Sequence, residues 1–365
     1  MTSTNKGSEI VADIALVWSH IRGLLSNSRE QTHTMHLHNH GSRCFTCRLT
    51  RSIRRYRPTN GPRRDRRTTG GTAQEDRNSA RGHPLVSEMG HIDERNVKKA
   101  LCIGINYVGS GEDMALRGCQ TDALRMVGIL EKDFHYERTM LLLDQTDGIP
   151  TGQKRKLFRP TRHNILKGLH WLRNRAKPGD LLFMHYSGHG TQVPDEDGDE
   201  QDQKDECLVP CDFRSGGYIT DDMLVTHYLK HLPKGVICSF IFDCCHSGSI
   251  LDLPHEYRYS TSLGTIQTRS DPTMGRVTEA MIICLSACDD DQLAEERETP
   301  TGRFRGLMTT CVEQAIRKFN NRISLRELLV YVSNEMHHRG ANQRPVLSLN
   351  FPVDIDHFYL NVSII

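Results

Sequence analysis

Long apolar runs, a leader-like start and aromatic residues are what this sequence has least of. No stretch approaches the roughly 20 apolar residues that cross a bilayer, and Met1 to Glu9 holds no apolar signal core. A membrane span is therefore not expected, and secretion is argued against. Aromatics make up 6% of the 365 residues, and the net charge is only +2. A hydrophobic fraction of 37% and a mean hydropathy of −0.53 are low for a single globule. They imply a core-forming part diluted by a polar segment. Twelve cysteines might suggest a disulfide scaffold, but Cys102, Cys238 and Cys284 sit inside apolar runs, where they act as small hydrophobes. The expected setting is a reducing compartment, cytoplasmic or nuclear, with free thiols.

The near-zero net charge hides an uneven distribution. Residues 9–25 carry a helical stripe of Ile10, Ile14, Val17, Trp18, Ile21, Leu24 and Leu25, read as a helix that docks on the main domain. His33, His36, His38 and His40 precede Cys44-Phe-Thr-Cys47, which is zinc chemistry without the second ligand pair at zinc spacing. From Arg43 to Arg67 there are ten arginines and one acid, Asp65. Such a block is a solvated tail that also suits weak contact with nucleic acid. Residues 1–96 are accordingly expected to form a largely disordered basic extension with one short helix.

Order is expected from Val97 to the end. Strand-like runs at Ala100–Asn106, Met140–Asp144, Asp180–Ser187, Val236–Phe242, Ala280–Leu285 and Pro345–Leu349 alternate with helical patterns. The helices are placed from the lead-in Leu116–Asp122 to about Lys132, over Thr161–Arg175, from Thr220 to about His231, over Phe304–Phe319 and over Ser324–His337. A polar loop is expected over His255–Thr278. The alternation predicts an α/β domain over residues 97–365, a mostly parallel sheet with helices on both faces.

Two of these strands end in reactive chemistry. One runs into Ser187-Gly188-His189-Gly190, the other into Asp243-Cys244-Cys245-His246-Ser247-Gly248. Parallel neighbours would bring an imidazole and a thiol to one sheet edge, where open α/β sheets place their sites. A thiol attacks as thiolate, and a nearby imidazole can take its proton. The glycines leave backbone N–H groups close to a developing oxyanion. Spacing alone does not choose between Cys244 and Cys245, although alternation points them in opposite directions.

Tyr186-Ser-Gly-His-Gly190 together with Asp243-Cys-Cys-His-Ser-Gly-Ser249 resembles the metacaspases, of the caspase-like superfamily of cysteine peptidases. Gly104-Ile-Asn106-Tyr107 and Gly118-Cys-Gln-Thr-Asp122 are family-like too. The gap from His189 to Cys245 is 56 residues, against about 50 in caspases. With no linker inserted between the two halves, the resemblance is to type I. It implies a caspase-like fold and a Cys–His dyad. Cys245 would be the nucleophile, Cys244 a packing or accessory residue, and the N–H groups of Gly190 and Cys245 the oxyanion hole. It also implies cleavage of protein or peptide substrates after Arg or Lys, in a pocket of Asp122, Ser187 and Asp243, whose carboxylates suit a guanidinium. Calcium is implied, held by Asp205, Asp221, Asp222 and Asp252.

Other readings stand beside these. Asp122 and Asp221 each lie where a helix begins, and Asp243 where a chain turns. Asp195, Asp197, Asp199 and Glu206 imitate an EF-hand loop, but the sixth place holds Glu200 instead of Gly and no exit helix follows. The resemblance further implies self-cleavage after basic residues, for which the arginine block and Arg258, Arg269 and Arg276 are candidates, and a monomeric state. The alternative from another class is a catalytically silent scaffold whose arginine-rich tail binds nucleic acid or an acidic partner.

Overall fold

The computed structural model describes residues 96–145, 159–195, 203–271, 277–289, 292, 294–299 and 302–360. The stripe, CxxC and arginine block expected in the N-terminal extension lie outside them, as do Asp197, Asp199 and Arg276. In chain order the main elements are β1 (Lys98–Gly104), α1 (Cys119–Lys132), β2 (Arg138–Leu143), α2 (Arg162–Arg173), β3 (Leu181–Ser187), β4 (Gly190–Pro194), β5 (Lys204–Leu208) and β6 (Ile219–Thr220). There follow α3 (Asp221–His227), β7 (Ile237–Asp243), β8 (His255–Ser260), β9 (Thr265–Ser270), β10 (Met281–Ser286), β11 (Glu296–Glu298), β12 (Phe304–Gly306), α4 (Leu307–Lys318), α5 (Leu325–His338) and β13 (Val346–Leu349).

Eight strands form the main sheet in the order β2-β1-β3-β7-β10-β13-β8-β9. The first five run parallel, and β13, β8 and β9 extend the sheet antiparallel. β3 and β7 are buried at every position because both of their faces are covered. Ile237 and Ile241 face one core with Met126 of α1, Cys311 of α4 and Leu328 of α5. Cys238, Phe240 and Phe242 face the other with Ile165 of α2 and Leu224 of α3. The crossovers β1-α1-β2 and β2-α2-β3 travel in opposite directions and lie on opposite faces, as right-handed connections require. The sheet therefore changes direction between β1 and β3, and a crevice opens there at the carboxyl edge.

Side-chain caps fix helix starts where the sequence signals them. Thr161 accepts from the Asn164 N–H, Thr220 from the Met223 N–H, and Ser324 and Glu327 form a capping box. Three expectations are corrected. The loop expected over His255–Thr278 contains the hairpin β8–β9, turned at Gly264 with φ +66°. Its apolar positions, Tyr257, Tyr259 and Ile266, pack on the core, and the polar alternation between them reads as a loop. The helix expected from Phe304 begins at Leu307, since Phe304–Gly306 pairs with β11 instead. The helix from Thr220 stops at His227, followed by a 3₁₀ turn over Leu229–His231. Among the described residues no helix is long and apolar enough to cross a membrane.

Candidate active site

The carboxyl ends of β1, β3 and β7 stand in register, Gly104 beside Ser187 and Ser187 beside Asp243. His189 leaves β3 after one glycine turn. Its N–H donates to Tyr107 Oη (2.8 Å), its carbonyl accepts from Tyr186 Oη (2.8 Å), and its ring lies 4.6 Å from the Tyr107 ring. Any side chain at Gly188 would press on both tyrosine hydroxyls, at 2.8 and 3.1 Å. His189 Nε2 lies 2.9 Å from the Met114 carbonyl. A carbonyl only accepts, so Nε2 carries the proton and Nδ1 is the basic nitrogen of the neutral ring. Burial lowers the imidazole's pKa, while Met114 and the charge of Glu296 work against it.

Cys244 and Cys245 part at the end of β7. Cys244 is fully buried in the core, and burial raises its thiol pKa well above the ordinary value. Its carbonyl accepts from Ser247 Oγ (3.0 Å) and Cys288 Sγ (3.3 Å). Cys245 is half-buried, and its sulfur accepts the Ala294 N–H at 3.3 Å. Gly190 lies directly against it, since a Cβ there would run into the Cys245 carbonyl oxygen. The Val209 N–H donates to the His189 carbonyl (3.3 Å), which makes Gly190 and Leu208 a non-hydrogen-bonded pair. The β4–β5 ladder thus does not use the Gly190 N–H. His246 and Asp252, in the turn after the thiol, hold left-handed φ values of 48° and 47°, a conformation that costs a non-glycine residue about 1–3 kcal/mol.

Beside this pair lies a buried acidic pocket. Asp122 Oδ2 accepts from the Gly306 N–H (2.8 Å) and Ser187 Oγ (3.2 Å), while its Oδ1 is buried without a partner. Asp243 Oδ2 accepts from the N–H and hydroxyl of Thr309, at 2.8 and 2.7 Å. Asp122 is 1% exposed and Asp243 4%. Burial, then the neighbouring Asp243 charge, raises the Asp122 pKa well above the carboxylate range. Burial pushes Asp243 up to about 6 against the two Thr309 hydrogen bonds. A third acid, Glu296 on β11, accepts from the N–H groups of Arg117 (3.0 Å) and Gly118 (2.6 Å) at the start of α1.

A strand-end imidazole and a half-buried thiol suit hydrolysis through a cysteine nucleophile, and comparison with known proteins points to a family of cysteine peptidases. The family description "Metacaspase, peptidase C14 domain" matches residues 98–254. Metacaspase-1 of Emericella nidulans is 35% identical over 305 residues, 72% of each chain. The chain belongs to the metacaspase family. Metacaspase-2 of Trypanosoma brucei brucei is 36% identical over 270 residues, 71% of this chain and 74% of the relative. A solved structure from Geobacter sulfurreducens shares the fold, with a TM-score of 0.50 and 22% identity over 72% of this chain and 97% of its own. As a metacaspase, the protein is a cysteine endopeptidase.

The four aspartates expected to hold calcium are spread over β5, α3 and the turn after the thiol. Asp221 is buried, and its two oxygens accept the Glu206 N–H (2.7 Å) and the Asp222 N–H (2.8 Å). Burial, with added repulsion from Glu206 and Asp205, pushes Asp221 up to about 8. Asp205 is buried, and Asp222 and Asp252 are half-buried. Among the described residues no three His, Cys, Asp or Glu side chains form a ready metal cluster. The charges of Glu206 and Asp205 act against that of Asp221, a repulsion of the kind that a hard cation would relieve. In this metacaspase, Met114, Ala294, Glu296, Gly306 and Thr309 escaped the sequence reading. Three of them act through backbone groups, which no side chain announces, and Glu296 and Thr309 lie outside both motifs.

Proposed function

We propose that this metacaspase cleaves protein or peptide chains after Arg or Lys, using Cys245 as nucleophile and His189 as its acid–base partner. The carrying observation is the bare, buried Oδ1 of Asp122, whose carboxylate converges with that of Asp243 on Gly306. A buried carboxylate oxygen without a donor is costly unless a ligand supplies one. An arginine side chain would bring both donors and the opposite charge, and Ser187 Oγ would help fix Asp122 for it.

In the proposed sequence, His189 Nδ1 takes the Cys245 thiol proton and the thiolate attacks the scissile carbonyl. The oxyanion is met by the N–H groups of Gly190 and Cys245. The imidazolium returns the proton to the departing amine, leaving an acyl-enzyme. His189 then takes a proton from water, which attacks the thioester and releases the acid and the free thiol. Asp205, Asp221, Asp222 and Asp252 would hold calcium, which supplies charge neutralisation beside the turn that carries Cys245.

Self-cleavage after basic residues belongs to the same reading. Arg258 suits it poorly, being in a strand paired on both sides and bonded to Asp289 at 2.9 Å. Arg269, exposed on β9, suits it better. The test is hydrolysis of fluorogenic peptides ending in Arg, Lys or Asp, in calcium or chelator, by wild type and Cys245→Ala. Turnover of the Arg and Lys peptides alone, dependent on calcium and absent from the mutant, is expected. Cleavage of the Asp peptide instead would overturn the pocket.

A further inference from the structure

The first turn of α4 meets both pocket acids. Its cap residue, Gly306, gives its N–H to Asp122 Oδ2, and Thr309 gives its N–H and hydroxyl to Asp243 Oδ2. A Cβ at Gly306 would run into Asp243 Oδ2 and stand 2.8 Å from Asp122 Oδ2, so the two carboxylates converge on that glycine. Behind Thr309, at 3.1 Å, lies Nε2 of His185, a fully buried residue whose pKa burial lowers to about 3. The Thr309 hydroxyl spends its proton on Asp243, so the neutral His185 must donate Nε2–H to it. The His185 Nδ1 is correspondingly buried with no partner. The result is a directed chain, His185 to Thr309 to Asp243, anchored in the sheet.

We infer that Thr309 is a positioning residue for substrate specificity, fixing one oxygen of Asp243 so that the carboxylate stays ionised and aimed at a basic side chain. The inference rests on reading Asp122 and Asp243 as the pocket for Arg or Lys. In that pocket two like charges crowd together, and without donors one of them takes a proton and loses its attraction for a cation. The titratable groups facing Asp243 are Asp122 and Cys119 on α1, Glu296 on β11, the adjacent Cys244, Cys288 after β10 and Cys311 on α4, with His185 reaching it through Thr309. Among the described residues Arg305 on β12 attracts Asp122, while Asp243 Oδ2 takes its two donors from the N–H and hydroxyl of Thr309.

Full-length Thr309→Val, Thr309→Ala and Thr309→Ser are compared with wild type on Arg and Lys peptides across pH, with melting temperatures alongside. The two variants without a hydroxyl are expected to lose about 10- to 100-fold in kcat/KM, mostly through KM. Their acid limb should move to higher pH, by about one unit, and Thr309→Ser should restore both. Asp122→Asn and Asp243→Asn serve as separate controls. If those two keep the basic preference, the pocket reading itself fails. If they lose it while Thr309→Val and Thr309→Ala match wild type in KM and acid limb, the role of Thr309 is overturned. It is overturned equally if both hydroxyl-free variants merely fail to fold while Thr309→Ser does fold.

Discussion

Cys244 and Cys245 are one peptide bond apart and occupy different media. The first is sealed in the core with Phe240 and Phe242, and the second meets solvent beside Gly190. Replacing each by alanine should therefore separate stability from chemistry. Cys245→Ala is expected to abolish peptide hydrolysis with an unchanged melting temperature. Cys244→Ala should keep turnover while losing about 1 kcal/mol of stability, read from urea titration. The pocket acids add a pH signature. Asp243, pushed up to about 6 by burial, has to be ionised for the proposed attraction of a cation. kcat/KM for Arg peptides should accordingly fall as pH drops through about 6, and fall less for any substrate with a neutral side chain at that position. At this scale the sequence was most informative about side chains, naming His189, Cys245, Asp122 and Asp243, which the fold gathers near the carboxyl ends of β1, β3 and β7. It was silent about the Met114 carbonyl that sets the His189 tautomer and about the Gly306 N–H that Asp122 uses, because every residue has such groups.

At the level of elements, the segment from Ala294 to Thr309 ties the site together. It touches the Cys245 sulfur, the start of α1 and both pocket acids in succession. Glu296 is the clasp: its carboxylate sits on the N–H groups of Arg117 and Gly118, where the helix dipole favours an anion. Glu296→Gln should loosen α1 by about 1–2 kcal/mol and, by removing a like charge that raises both pocket acids, move the acid limb for Arg peptides to lower pH. Equilibrium denaturation together with steady-state kinetics checks both effects. The central strands were legible from unbroken apolar runs such as Val236–Phe242, and their mostly parallel direction followed from alternation with helices, whereas their order in the sheet did not. The β8–β9 hairpin was not, since a strand with one wet face and polar tips differs little in composition from a loop. β11 and β12 are three residues each, too short to show a period at all.

Across the whole molecule, the acids on β5 and α3 connect to the reactive turn through one residue. Glu206 gives its N–H to Asp221, and its carboxylate accepts Ser249 Oγ at 2.5 Å, four residues beyond Cys245. A cation gathered by those acids should stabilise the fold by mass action, about 2.7 kcal/mol at a hundredfold excess over Kd. Calcium is thus expected to raise the melting temperature of the inactive Cys245→Ala protein, chelator to reverse it, and Asp221→Asn to remove it. Scanning calorimetry reads this without any turnover.

The distribution of thiols has a practical corollary. Of the ten described cysteines, none in a disulfide, only Cys211 and Cys245 are not buried, and burial holds Cys211 up at about 11. With Cys44 and Cys47 replaced by serine, a mild electrophile at neutral pH should consume one equivalent per native chain and several per unfolded chain. The protein would then carry its own stoichiometric counter, reporting by mass spectrometry what fraction of any preparation has a correctly formed reactive centre.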